Sequence, residues 1–148
     1  IKATEKKVQP TSALSGVPIA CPALMRAEKL QRKAKVVGFD WEEINGPLAK
    51  VKEEGDELAA AYIQWEKGGK DEKEALALEE ELGDLLFSLV NLARFLKIRP
   101  ELALNRACNK FTRRFQQIEE KAAAQGSHLR ELTLAQMDEV WEESKGDS

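Results

Sequence analysis

Proline placement constrains this chain more than any other feature. All five prolines lie at positions 10, 18, 22, 47 and 100, so residues 48–99 and 101–148 contain none. A proline inside a helix costs about 3 kcal/mol. The two proline-free intervals are therefore where long helices can run. No stretch sustains a period-two alternation of β-branched residues, so no sheet of consequence is expected. The prediction is an all-α bundle of about four main helices plus a short C-terminal helix.

Punctuation residues divide the chain further. Pro10, Gly16 and Pro18 break residues 1–20, which read as an irregular segment or linker, and residues 21–148 read as one domain. A first helix is expected from Pro22 to Val37, with Gly38 as its stop. Asp40 and Glu43 read as a capping box for the second helix. Gly46 and Pro47 interrupt its first turns, so its regular part is expected over Leu48–Lys67. The pair Gly68-Gly69 ends it. Asp71 with Glu74 reads as another box, opening a third helix to about Leu96. Pro100 opens a fourth, which closes at Gly126 and carries the stripe Leu104, Cys108, Phe111, Phe115, Ile118 and Ala122. Thr133 with Gln136 is a third box, before a last helix to about Lys145.

Composition narrows the chemistry. Hydrophobic residues make up 43% of 148, enough for a core. The net charge of −3 argues against a nucleic-acid or membrane-surface partner recruited by bulk positive charge. A single histidine excludes a His-rich metal site, and Cys21 and Cys108 cannot form a CxxC zinc site. Two thiols, no secretory signal and no apolar run of about 20 residues point to a reducing, cytoplasmic setting. The chain begins at Ile1 and not Met, so an upstream domain is expected.

Most acids fit solvated helix faces, but two clusters do not. In Glu53-Glu54-Gly55-Asp56-Glu57, the three glutamates fall within about 100° of arc. They border the apolar stripe of Val51 and Leu58 and do not oppose it. Further on, Glu81, Asp84, Ser88 and Asn91 make one polar line in a helix otherwise apolar on nearly every side. That helix should be buried on more than one face. The Gly68-Gly69 turn makes these helices an antiparallel hairpin. Glu57 and Glu81 lie about equally far from the turn, which brings Glu54, Glu57, Glu81 and Asp84 to one level. Carboxylates so placed would repel. Salt-bridged or solvated faces would relieve the repulsion, and so would a hard divalent cation. Oxygen ligands without His or Cys select Mg²⁺ or Mn²⁺.

Mg²⁺ commonly recruits substrate phosphates. Lys110 and Arg114 are one turn apart beside Phe111 and Phe115, as an exposed basic patch or as phosphate ligands. Lys50 lies one turn before Glu53 and Glu54 and is either solvated or aimed at the same place. Trp141 suits either core packing or stacking on a base. His128 reads as surface.

Taken together, the acids spell EExxE, a gap, then ExxD. This resembles the MazG family of nucleoside triphosphate pyrophosphohydrolases, within the all-α NTP pyrophosphatase superfamily, and most closely a C-terminal catalytic domain. The resemblance covers nearly the whole chain from Ser12. It includes Val17-Pro18, Pro22-Ala23-Leu24-Met25-Arg26-Ala27 and Val37-Gly38-Phe39-Asp40-Trp41. It continues through Glu80-Glu81-Leu82-Gly83-Asp84-Leu85-Leu86-Phe87, Val90-Asn91-Leu92-Ala93-Arg94, Lys110-Phe111 and Arg114-Phe115.

The resemblance implies Mg²⁺-dependent hydrolysis of an NTP or dNTP to the monophosphate and pyrophosphate, by a metal-activated water attacking the α-phosphorus, with Mn²⁺ as a substitute. It implies Glu54, Glu57, Glu81 and Asp84 as metal ligands, with Glu53 near the attacking water or a second metal. Lys110 and Arg114 would hold the triphosphate, and Lys50, Glu80 and Trp141 would be further nucleotide contacts. It also implies a homodimer, which suits a third helix too apolar for one small bundle to cover. Long relatives carry tandem domains or a fused methyltransferase, and this chain carries one domain. The rival reading is a non-catalytic helical dimerisation or regulatory module with a degenerate site, which predicts missing ligands where all five acids are present. A di-iron bundle needs Glu-x-x-His pairs, and His128 is in none.

Overall fold

A computed structural model describes residues 11–147. Five α-helices follow in order: α1 (Ala23–Val36), α2 (Asn45–Lys67), α3 (Glu72–Phe95), α4 (Pro100–Ala124) and α5 (Leu134–Ser144), with 3₁₀ turns at Leu129–Glu131 and Lys145–Asp147. No strand occurs among the described residues, so the fold is all-α as expected. Residues 11–20 form turns only, and residues 1–10 of the expected irregular segment lie outside the described residues. The chain divides into two compact units, one ending at Pro100 and one beginning at Glu101.

In the first unit, α2 and α3 form the antiparallel hairpin. Its turn is built on backbone of positive φ at Gly69 and Lys70 (74° and 63°), closed by Lys70 N donating to Trp65 O at 2.9 Å. Glycine adopts that conformation without steric cost. Helix α1 lies against α3 through a polar tie. The buried Gln31 side chain donates from Nε2 to Phe87 O at 3.0 Å. Pro47, Ser88 and Val90 are also buried here.

Two expected capping boxes do not form. Helix α2 begins at Asn45 behind Ile44, with no side-chain cap. The Asp40 carboxylate is instead held by Arg94 at 2.6 and 3.3 Å. A cap contributes about 1 kcal/mol, whereas an unpaired buried guanidinium costs several, so Arg94 wins the competition. Asp71 does cap α3, accepting from Lys73 N at 3.4 Å. Glu74 does not complete that box, because its carboxylate lies over Gly68, where any Cβ would collide with it. The third box forms in full: Gln136 N donates to Thr133 Oγ1 at 3.2 Å, and Thr133 N donates to Gln136 Oε1 at 2.8 Å.

Helix α3 is buried on more than one face, at Ser88 and at Val90 about 200° around from it, but not on every apolar side. Leu82, Leu86, Phe87 and Leu89 stay exposed. In the second unit, only the later part of the expected α4 stripe is covered. Ile118 and Ala122 are buried, as is Val140 of α5, while Leu104 and Phe111 are exposed. The short α5 cannot run along the whole of α4, although Phe111 still reaches Trp141 of α5. Eleven residues of α5 span about 16 Å, and 25 residues of α4 span about 37 Å.

Candidate metal centre

The acids of α2 and α3 meet across the hairpin. Carboxylate oxygens of Glu53, Glu54 and Glu57 lie within 4.8 Å of one another, and so do those of Glu54, Glu81 and Asp84. Glu54 belongs to both groups. It is also the buried member, at 5% exposure, whereas Glu53, Glu57 and Asp84 are exposed and Glu81 is half-buried. Spacing explains this: at about 100° per residue, Glu54 sits nearest Val51 and Leu58 and turns furthest toward the α3 side.

Lys50 is the cation drawn into the group. Its Nζ lies 2.6 Å from Glu54 Oε1 and 3.2 Å from Glu53 Oε1. The carboxyl of Glu54 is held below the usual carboxylate range, chiefly by its hydrogen bond from Lys50, and the two glutamates hold Lys50 more firmly protonated. One cation does not balance the group. The carboxyl of Glu57 is pushed up, first by its hydrogen bond and charge interaction with Glu54, then by desolvation and the charges of Glu81 and Glu53. Glu54 Oε2 and Glu81 Oε2 are both buried with no hydrogen-bond partner. Buried carboxylate oxygens without donors are costly. Oxygens alone, two of them orphaned, with water access through the exposed Glu53 and Asp84, make a donor set that suits a hard divalent cation. An open depression of about 440 Å³ lies beside Glu53 and Glu57, lined also by Ala49, Lys52, Asp56 and Ala60.

The other expected residues lie on α3 and in the second unit. Glu80 is exposed on α3 and stands outside both carboxylate groups. In the second unit, the Arg114 guanidinium lies 5.5 Å from the Trp141 ring centre, and Phe111 lies 5.4 Å from it. Trp141 is thus part of an aromatic cluster and half-buried. Lys110 is exposed one turn before Arg114. The polar line of α3 splits. Glu81 and Asp84 join the acids, Ser88 Oγ donates to Leu85 O at 2.7 Å, and Asn91 Oδ1 accepts from Arg94 at 2.6 Å. The Asp40–Arg94–Asn91 clamp was missed from sequence. Its signal was present, since Arg94 extends the three-and-four series that begins at Glu81.

Comparison with known proteins assigns the family. The model of the MazG nucleotide pyrophosphohydrolase domain matches residues 44–118, just over half of the chain and all five clustered acids. The chain belongs to the MazG family. It is 44% identical over 146 residues to a Thermotoga maritima protein named nucleoside triphosphate pyrophosphohydrolase/pyrophosphatase MazG, which covers 99% of this chain and 53% of that protein. It is 43% identical over 144 residues to the Escherichia coli nucleoside triphosphate pyrophosphohydrolase, covering 96% of this chain and 52% of the relative. The chain therefore spans about half the length of these two curated MazG-family relatives. The Bacillus subtilis protein YabN is 43% identical over 145 residues, which is 28% of its length.

Proposed function

We propose that this MazG-family chain hydrolyses nucleoside triphosphates, NTP or dNTP, to the monophosphate and pyrophosphate, using Mg²⁺. The observation that carries the proposal is the pair of carboxylate groups sharing buried Glu54, whose Oε2 lacks a partner. Glu54, Glu57, Glu81 and Asp84 would hold the ion, and Mn²⁺ would fit the same oxygens. A bound Mg²⁺ would lower the pKa of a water and neutralise charge on the phosphates.

The chain's own residues supply the rest. Glu53 is exposed at the edge of the group and fixed by Lys50 at 3.2 Å, which suits it to accept the proton of the attacking water. Lys50 remains charged and can share its ammonium between Glu54 and a phosphate oxygen. The resemblance extends the same reading to Lys110 and Arg114 as triphosphate ligands, whose fixed positive charge would favour leaving pyrophosphate. It names Glu80 and Trp141 as further nucleotide contacts.

A second copy of the chain is the proposed partner, covering apolar side chains left exposed on α2 and α3, such as Ile63, Leu76, Leu82 and Leu89. A cytoplasmic location follows from the substrate class. No helix among the described residues is long and apolar enough to cross a membrane. Incubation with an NTP and Mg²⁺ tests the activity. Pyrophosphate and monophosphate are expected, with none formed in excess chelator. A nucleoside diphosphate and orthophosphate as first products would contradict the reading.

A further inference from the structure

Residues 37–44 connect α1 to α2, and three of them, Phe39, Asp40 and Trp41, are placed in an unusual way. Asp40 is anchored inward by Arg94, which is itself only 7% exposed and also held by Asn91. Its neighbours Phe39 and Trp41 are left outside, at 81% and 47% exposure. A fixed loop that presents aromatic rings is more often a binding element than a packing one.

Trp41 is seated. Its indole lies directly on Gly46, so that a Cβ at position 46 would meet Trp41 Cδ2 at 2.7 Å. Gly46 is helical with ordinary φ, so conformation does not require glycine there. A helical glycine costs roughly 1 kcal/mol against alanine. The seat for the indole accounts for it.

The seat lies on the acidic face. Gly46, Lys50, Glu53 and Glu57 fall within about 60° of arc on α2, at about 100° per residue. Along the axis, Lys50 lies about 6 Å, Glu53 about 10 Å and Glu57 about 16 Å beyond Gly46. A half-open indole, an ammonium and the carboxylate group thus follow one another along one helix face. The order matches base, phosphate and cation in a nucleotide held lengthwise, with the ribose bridging the first interval.

We infer that Trp41, seated on Gly46 and fixed by the Asp40–Arg94 clamp, is the surface on which the substrate's base stacks. This inference rests on the proposed function. Every base has a π face, so stacking recognises nucleotides as a class and discriminates weakly among them. Asp40 and Arg94 are positioning residues in this scheme, acting through Trp41.

Steady-state kinetics with an NTP and Mg²⁺, beside inhibition by inorganic tripolyphosphate, tests it. Tripolyphosphate carries the phosphates and no base. Trp41→Ala should raise KM roughly tenfold, the loss expected for one base–aromatic stack. Its kcat should stay near the parent value and tripolyphosphate inhibition should be unchanged. Gly46→Ala keeps the indole but removes its seat, and should raise KM in the same selective way. Trp41→Phe should recover most of the loss. An unchanged KM in Trp41→Ala or in Gly46→Ala would overturn the inference. Equal weakening of NTP and tripolyphosphate would overturn it too, as would an unchanged KM accompanied by a smaller solution mass, which would assign Trp41 to a protein contact. If the parent protein releases no pyrophosphate, the proposed function itself fails. If the parent is active and only the variants behave like it, the stacking role alone is lost.

Discussion

Glu54 bonds Lys50 through one carboxylate oxygen and keeps the other buried without a donor. Its neighbours Glu81 and Asp84 stand across the hairpin, and the proposed ion would lie among these oxygens. Asp84→Asn should lower NTP turnover by at least about a hundredfold through loss of the ion. Asp84 is exposed, so circular dichroism should show the helices intact; full activity in this variant would place the ion elsewhere. The Asp40–Arg94 pair makes a different prediction, about stability. The hydrogen bond from Arg94 is the main cause that holds the Asp40 carboxyl below its ordinary value of 3.8. A depressed acid contributes stability that is full above the unfolded value and is lost as pH falls through the folded one. Asp40→Asn should therefore cost roughly 3 kcal/mol near neutral pH, from breaking a buried pair. Urea unfolding should show the gap to the parent closing as pH drops below 3.8.

At the scale of elements, one cap carries the short α5 helix. Thr133 and Gln136 satisfy each other's backbone donors ahead of only 11 residues. Thr133→Ala should destabilise the second unit by about 1 kcal/mol, read as faster amide exchange over 134–144. The five helices and their order were legible in the sequence, because prolines, glycine pairs and apolar spacing act locally. The caps were legible only where nothing distant competed. Thr133 had no rival partner, while Asp40 was taken by a residue 54 positions away and Glu74 turned back over Gly68. The convergence of the acids was legible because hairpin symmetry about Gly68-Gly69 sets the level of each one. The seat of Trp41 on Gly46 was not, since it depends on a loop held in part by Arg94, a residue distant in the chain.

For the whole molecule, the exposed apolar residues of α2 and α3 are a cost to a lone chain. Larger apolar patches on a surface mark association. Light scattering should give twice the mass of one 16.6 kDa chain; a monomer at micromolar concentration would contradict the proposed homodimer. The charge balance carries a related lesson. A total of −3 suggests no polyanionic partner, yet five of the acids converge at one centre, and the cation proposed there would bring phosphates with it. Hydrolysis of an NTP with Mg²⁺ in heavy-oxygen water tests this account most directly. Attack on the α-phosphorus predicts label in the nucleoside monophosphate and unlabelled pyrophosphate; label in pyrophosphate, or release of orthophosphate, would contradict it.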